Sequence, residues 1–453
     1  MILQSSSLIF DVAPRDLLIT RDFTAAELKE RRHRIASQME AGSKLLIAGA
    51  PPVPDDRTVQ DANFYYFCGL DVPHSYLLID GQTARTTVYV PSRDLMDGLA
   101  EDKLGFEDAT FIRERLDLDG VEPSTKLTAA LQGVKILYMP LAEVEGGGAT
   151  RFGANGCAQV RERDEWDQAE PRKKRLLRLL QERIPGVDVR DALPLINPMR
   201  TIKSPAEIAV LREAGNLSAA AVTEGMRIVR PGMNENRLQA VVEYVFRDQG
   251  HCGLGYGVIS AAGTRTWNGH YHYNNATIQE DEIVLLDCGP DLRHYSSDIA
   301  RMFPANGIFS DWHRKMYGMI VQYHNVLLSL IRPGVMPQDI YDEAVRQMLA
   351  LCDKPEGALS GMRPYIEQMQ TAGVRYLNHG VGLSVHDAID PSWKDRPLQE
   401  GFVCALDPMI WVKETHEYIR VEDTVVVTSS GVERLTGAAP FEIDEIEAIM
   451  RPA

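Results

Sequence analysis

Residues Glu282 to Phe303 read EIVLLDCGPDLRHYSSDIARMF. Ile283 to Leu286 is an apolar run and Ser297 to Phe303 is rich in β-formers, so the stretch predicts two strands joined by a polar turn. Each strand carries an aspartate, Asp287 on the first and Asp298 on the second, eleven residues apart. Further along, Phe402 to Trp411 and Tyr418 to Thr428 predict strands of the same kind. Asp407 follows VCAL, and Glu422 lies between Val421 and the run Thr424 to Val427, fifteen residues after Asp407. A carboxylate buried without a partner is strongly unfavourable. One such acid is explained by an arginine in the core; four in one half of the chain predict a shared cation site.

The histidines concentrate in the same half. Nine of the eleven lie between His251 and His416. His379 and His386 stand seven apart in NHGVGLSVHD, where the glycines predict a turn into a strand. A lone histidine in such a place is ordinarily a satisfied structural residue; beside four acids it becomes a candidate ligand.

Outward from this core, Ser204 can cap a helix with Pro205 at its first position, and Glu207 completes a capping box before IAVLREAGNLSAAAV. An internal echo follows. Ile228 to Asn236 reads IVRPGMNEN and leads into the helical LQAVVEYVF, while Leu330 to Gln338 reads LIRPGVMPQ and leads into IYDEAVRQMLAL. A repeat of so long a period predicts two related αβ halves rather than a solenoid. Upstream, Ala25 to Glu40 reads as a charged helix, and Lys44 to Ala48, Tyr76 to Ile79 and Thr86 to Val90 as strands. The stretch from Glu145 to Gly156 is glycine-rich and reads as a loop; it lacks the lysine and the strand-before, helix-after context of a phosphate cradle. RKKRLLRLLQERI (Arg172 to Ile184) is an amphipathic helix whose basic face reads as solvated, with a subunit contact as the alternative.

At 453 residues the chain predicts two domains, one over 1–195 with its core at 24–140, and one over 196–453, in a mixed α/β (α+β) architecture. A composition of 44% hydrophobic and 25% charged residues is that of a globular protein. The formal net charge of -16 argues against a nucleic-acid partner. No apolar run is long enough to span a bilayer, and Met1 to Asp11 lacks the basic start of a secretory signal. Six scattered cysteines without a Cys-x-x-Cys pair predict buried free thiols and a reducing, cytoplasmic setting.

With these motifs in place, the sequence resembles the aminopeptidase P / prolidase (creatinase) family of metallopeptidases, whose pita-bread fold is shared with methionine aminopeptidase. The resemblance rests on LLDCG with Asp287, SSDIARMF with Asp298, HGVGLSVHD with His379 and His386, EGFVCALDP with Asp407 and IRVEDTVVVT with Glu422. MRTIKSPAEIAVLREA matches the family's domain start, and RRHRIASQM with DANFYYFCGLDVP (Asp61 to Pro73) matches its N-terminal domain. It implies a creatinase-like mixed α/β domain followed by a pita-bread domain with an internal pseudo-twofold repeat. It further implies two divalent ions bridged by Asp298 and Glu422, with Asp287 completing one shell and His379 with Asp407 the other. Manganese suits one imidazole among oxygens, with cobalt or zinc as alternatives and magnesium or calcium disfavoured. A hydroxide bridging the ions would be the nucleophile.

By the same resemblance His270 and His386 contact substrate or pass protons, with His272 as the neighbouring alternative to His270. Arg420 would orient Glu422, or form an ordinary cross-strand ion pair. One position departs from the family. Where this chain reads Asp407-Pro408-Met409, the family has a glutamate followed by proline and glycine. The shorter arm reaches an ion only if the strand shifts or a water intervenes, so weaker binding at one ion, an altered metal preference, slower turnover or a changed substrate are the alternative expectations. The implied activity is removal of an N-terminal residue preceding proline. Alternatives are a dipeptide-only prolidase and a creatinase-type amidinohydrolase; a silent scaffold gains nothing from clustered, repelling carboxylates. A homodimer or homotetramer is implied as well.

Overall fold

The N-terminal unit, Met1–Met199, is built on one mixed six-stranded sheet. The computed structural model describes residues 19–52, 59–96, 104–142, 151–250, 252–354, 357, 359–371 and 377–451. The Met1 to Asp11 segment, read above for targeting, lies outside them. The unit's elements are α1 (Ala25–Ala36), β1 (Lys44–Ala48), α2 (Ala62–Cys68), β2 (Tyr76–Asp80), β3 (Thr86–Val90), α3 (Ala109–Leu116) and β4 (Gly120–Pro123). They continue through α4 (Leu127–Leu131), β5 (Ile136–Met139), α5 (Arg151–Arg163), α6 (Arg172–Arg183), β6 (Asp188–Asp191) and α7 (Leu193–Thr201), within which the division falls. The strand order is β4-β3-β2-β1-β5-β6, antiparallel across β1, β2 and β3 and parallel at both edges.

The helix expected over Ala25 to Glu40 stops at Ala36, where Ser37 turns its hydroxyl back onto the Arg34 carbonyl. The loop expected up to Gly156 needs correction: 143–150 lie outside the described residues, but Arg151–Arg163 is helical, so Gly156 sits inside α5. The cost of a single helical glycine, about 1 kcal/mol, is overridden there. On α6 the basic face is neutralised locally, Arg178 pairing with both Glu170 and Glu182.

Asp61 opens α2 by accepting from the Asn63 and Phe64 amides at 3.0 and 3.1 Å, and it also accepts from buried Lys173 at 2.8 Å. Burial opposes the charge, but Lys173 and the cap bonds hold the Asp61 carboxyl below its ordinary range. Asp61→Ala removes the buried ion pair with Lys173 and the helix cap together, so a loss of about 3–5 kcal/mol is expected. A depressed folded pKa stabilises above the unfolded value of about 3.9 and is lost as pH falls through the folded value. Denaturant unfolding of the two proteins should therefore differ most at neutral pH and converge in acid; a constant difference down to low pH would contradict the ion-pair assignment.

The C-terminal unit, Arg200–Ala453, begins with the capping box read from sequence: Ser204 Oγ accepts from the Glu207 amide, and Glu207 accepts from the Ser204 amide. Its helices are α8 (Pro205–Ile228), α9 (Glu235–Gly250), α10 (Asp311–Leu330), α11 (Pro337–Cys352), α12 (Arg363–Thr371) and α13 (Ile443–Met450). Its strands are β7 (Gly253–Leu254), β8 (Ile259–Ala262), β9 (Ile283–Cys288), β10 (Pro290–Asp291), β11 (Ile299–Pro304) and β12 (Leu377–Gly380). After these come β13 (Val403–Leu406), β14 (Met409–Val412), β15 (Glu417–Arg420), β16 (Glu422–Thr428) and β17 (Gly431–Arg434). The principal sheet is antiparallel, in the order β12-β13-β16-β11-β9-β8, with β17 also on β16. Its apolar face packs on α8 to α11 around Leu286, Phe303, Tyr317, Ile320, Leu238 and Val425, all buried in one cluster.

The internal echo has a structural counterpart. Each Arg-Pro-Gly turn links two helices, α8 to α9 and α10 to α11, with Gly232 and Gly334 at φ of 85° and 83°. The Gly232 amide donates to Ile278 and the Ile278 amide to Met233. The Gly334 amide likewise donates to Leu398, and the Leu398 amide to Val335. Two helix pairs thus close onto the chain by the same pair of backbone bonds.

Two expected strands are each broken in two. Phe402 to Trp411 splits into β13 and β14 at Asp407-Pro408, since proline has no amide for the ladder. Tyr418 to Thr428 splits at Val421, leaving β15 to pair with β14 while β16 joins the principal sheet.

Candidate metal centre

The sheet register assembles the acids. Ala300 on β11 pairs with Asp287 on one side and with Glu422 on the other, so both acids project from the same face in one row. Asp298 is two residues before Ala300 and shares that face. Asp407 comes one residue after the Leu406–Asp423 pair, which puts it on the side of Glu422. His379 reaches the same face through an irregularity in β12. Leu377 pairs with Leu406 but Gly380 pairs with Cys404, one residue out of step. Counting back from Gly380 sets His379 opposite Ala405, on the face of the acids; an unbroken ladder from Leu377 would have turned it away. A bulge beside a site commonly re-aims a side chain in this way. The expected order of turn and strand around NHGVGLSVHD is reversed, because β12 precedes the turn and holds His379.

Oxygens of Asp287, Asp298 and Glu422 lie within 4.8 Å of one another, and so do ligand atoms of Asp298, His379 and His386. His379 Nε2 stands 3.4 Å from Asp298 Oδ2 and 4.0 Å from Glu422 Oε1. Its Nδ1 is 3.1 Å from the Gly380 carbonyl, which fixes the ring so that the other nitrogen faces the acids. Burial, aided by the nearby Arg420 charge, lowers the His379 pKa to about 4, so the imidazole is neutral as a ligand must be. Burial and then the Asp287 charge push Asp298 well above the carboxylate range. Burial also pushes Glu422 up, against Arg420 and with Asp298.

Arg420 sits among these acids. Its Nε and Nη1 donate to Asp407 Oδ1 and Asp287 Oδ2, each at 2.9 Å, and its Nη2 pairs with Glu422 and with Asp407 Oδ2. The sequence offered Arg420 a partner in Glu422; the structure gives it three. Tyr256 was missed altogether. Its buried hydroxyl lies 2.7 Å from Asp287 Oδ1 and 2.6 Å from Asp298 Oδ1. Nothing in GLGYG marks it, because its partners are 31 and 42 residues away. Gly289 lets this corner close, since a Cβ there would stand 1.9 Å from the Ser297 carbonyl oxygen and 2.7 Å from the Tyr256 ring.

His270 is exposed, its pKa lowered by partial desolvation against the pull of Asp287. His272 lies parallel to it, ring centroids 6.4 Å apart. The two thus share one rim, and the Asp287 charge acts on His270.

The donor set fits divalent cations. Four buried carboxylates face a single guanidinium, and Glu422 Oε1 is buried with no hydrogen-bond partner. Neutral imidazole and hard carboxylate oxygens without a thiolate suit borderline divalent metals.

Comparison with known proteins gives the family. Residues 209–429 match Metallopeptidase family M24, and residues 28–135 match the Aminopeptidase P, N-terminal domain. The Xaa-Pro aminopeptidase of Escherichia coli is 28% identical over 460 residues, 95% of this chain and 98% of its own. The Xaa-Pro aminopeptidase 3 of Rattus norvegicus is 33% identical over 274 residues, 58% of this chain and 53% of its own. Zn-substituted Escherichia coli aminopeptidase P in complex with product superposes with a TM-score of 0.74 at 27% identity, covering 94% of this chain and 98% of the other. The N-terminal mixed sheet and the principal sheet with its repeated helix pairs are those of the pita-bread metallopeptidases, and the chain belongs to the aminopeptidase P family within them.

Proposed function

We propose that this chain is a metal-dependent Xaa-Pro aminopeptidase, hydrolysing the bond between an N-terminal residue and a following proline. The observation that carries the reading is the cluster of Asp287, Asp298 and Glu422 with neutral His379 turned toward it, in a chain of this family. Asp287, Asp298 and Glu422 would hold one divalent ion, and Asp298 with His379 would begin the shell of a second. Manganese is the metal we propose, with cobalt or zinc able to replace it. Divalent ions bound there would supply Lewis acidity for the scissile carbonyl and would lower the pKa of the attacking water.

The chain's own residues do the rest. Arg420 offsets part of the carboxylate repulsion and fixes Asp287, Asp407 and Glu422 in place. Tyr256 holds Asp287 and Asp298 in register with each other. His270, solvent-accessible with a lowered pKa, is neutral at pH 7 and can accept a proton and pass it on. The peptide is the partner this site fits. All six cysteines are free, which supports a reducing compartment, and among the described residues no helix is long and apolar enough to cross a membrane. The homodimer or homotetramer implied by resemblance belongs to the same reading.

The test uses the manganese-loaded full chain with an Xaa-Pro dipeptide and with a tripeptide having proline second. Cleavage of the tripeptide at the bond before proline, abolished by a chelator and restored by manganese, is the expected result. Cleavage of the dipeptide alone would make the protein a prolidase, and chelator-resistant turnover would remove the metal from the mechanism.

A further inference from the structure

One face of the N-terminal sheet is covered only in part. The register sets Lys44 opposite Asp80, Leu78 opposite Thr87 and Tyr89 opposite Glu122, so all six side chains share that face. Leu78 and Tyr89 also pack into a buried cluster with Leu131 of α4 and Leu180 of α6. Beside that cover a cleft of about 390 Å³ stays open, lined by Leu78, Thr87 and Tyr89 from the sheet and by Ala129 and Ala130 from α4. Clefts of this size take small organic ligands. Gly120, opposite Thr87, adds no side chain here; a Cβ on it would stand 3.1 Å from Thr87 Oγ1.

Three cations and two anions ring the cleft, and both anions are already engaged. Asp80 spends its Oδ1 on its own turn, accepting from the Gln82 and Thr83 amides at 3.1 and 2.9 Å and from the Thr83 hydroxyl at 3.0 Å. Glu122 pairs with Lys126 at 2.7 Å. Two cations are left. Lys44 Nζ donates to the Ala130 carbonyl at 3.4 Å and shares the Asp80 charge at longer range. Arg85 has no ion pair among the described residues. Both stand at one end of the cleft, since Asp80 lies between them, paired with Lys44 across the ladder and donating its amide to the Arg85 carbonyl. In a chain of net charge -16, this cationic excess favours an anion locally.

Tyr89 supplies a separate sign of a ligand. It is only 5% exposed, it lines the cleft, and its hydroxyl has no hydrogen-bond partner among the described residues. A tyrosine buried to this degree ordinarily finds one. Burial and the Glu122 charge raise its pKa, so the hydroxyl keeps its proton and is a donor in want of an acceptor. Four residues of strand, roughly 13 Å, separate Tyr89 from Arg85, and the side chains reach toward each other across Leu78.

We propose that this cleft binds a small organic anion. Its carboxylate or phosphate sits on Lys44 and Arg85, its apolar body on Leu78 and the Tyr89 ring, and an oxygen acceptor on the Tyr89 hydroxyl. A guanidinium fork matches the planar edge of a carboxylate or two oxygens of a phosphate. The cleft shares no residue with the metal centre, so the assignment stands apart from the reading of that centre.

Calorimetric titration of the metal-loaded full chain with p-anisate, p-methoxyphenyl phosphate and neutral p-anisamide tests this. At least one anion should bind, at least tenfold tighter than the amide, and the tighter of the two names the head group. Arg85→Met should weaken it at least tenfold, the scale of a lost hydrogen bond to a charged group. Tyr89→Phe should weaken it about fivefold, the scale of a neutral one. Turnover of an Xaa-Pro tripeptide should stay within twofold of the parent in both variants. Anions also ligate divalent metals, so equal binding by the parent and Arg85→Met places the anion on the metal ions and overturns the proposal. Failure of both anions to bind, or an amide that binds as well, overturns it too. Because Tyr89 is buried and its variant can disturb folding, a crystal of the unaltered chain soaked in the tighter anion gives an independent reading. Density for the head group against Arg85 supports the site, and density at the metal centre alone removes it.

Discussion

Replacing Asp298 by asparagine lowers kcat/KM on an Xaa-Pro tripeptide by about three orders of magnitude, the scale set by several kcal/mol of Lewis-acid stabilisation. Asp298 is the residue common to both groups of ligand atoms, so the substitution removes charge from two positions at once. Asparagine keeps the shape and one oxygen, which separates the loss of an anion from a packing defect. The metal-free variant should melt no lower than the metal-free parent, since burial and Asp287 already disfavour the Asp298 charge. The expected signature is therefore loss of activity and of bound metal without loss of fold. Activity within tenfold of the parent, with metal content unchanged, would show that Asp298 carries neither ion.

Arg301→Met is expected to act through stability. Arg301 is wholly buried on β11, donating from Nη2 to Asp423 at 2.7 Å and from Nε to the Pro440 carbonyl at 2.9 Å. Its Nη1 reaches the Glu422 carbonyl at 2.5 Å. Asp423 also accepts from Arg434 and Thr436, and His324 Nε2 stands 3.1 Å away. Burial opposes the Asp423 charge, yet Arg301 and its neighbours hold the carboxyl far below the ordinary range. Taking the guanidinium away leaves a buried acid short of one cation and the Pro440 and Glu422 carbonyls short of a donor. A loss of about 3–5 kcal/mol follows, a fall of roughly 10 °C in Tm for a unit of this size. Thermal unfolding of the full chain measures it, and a shift under about 2 °C would mean that water or Arg434 replaces Arg301 fully.

The sequence was informative where a residue's partner is its chain neighbour. The capping box of Ser204 and Glu207, the twin Arg-Pro-Gly turns and the acids in or directly beside β9, β11, β13 and β16 could be read from spacing and pattern, because each depends on a few consecutive residues. What escaped depends on register. Tyr256 meets its acids only once β8 lies beside β9, and Asp387 finds Arg200 and Lys203 across more than 180 residues. The bulge that swings His379 onto the acid face leaves no mark in NHGVG. Asp423 had a usable signal. It follows Glu422 directly, and successive strand residues face opposite ways, so a second acid there calls for a second, separate cation. Arg301, directly after Ala300, answers it by the same alternation.

That pair of adjacent acids on β16 bears on how the strand finds its place during folding. A slip of one residue against β11 would send Glu422 to the Arg301 face and Asp423 to the face of the metal-binding acids. Glu422 would then be a methylene too long for a socket shaped by Arg301, Arg434 and Thr436, while Asp423 would fall short of the row formed by Asp287 and Asp298. Both faces would be wrong together. Two consecutive acids of unequal length, each matched to its own side, act as a proofreading mark that lets only one pairing of this strand go to completion.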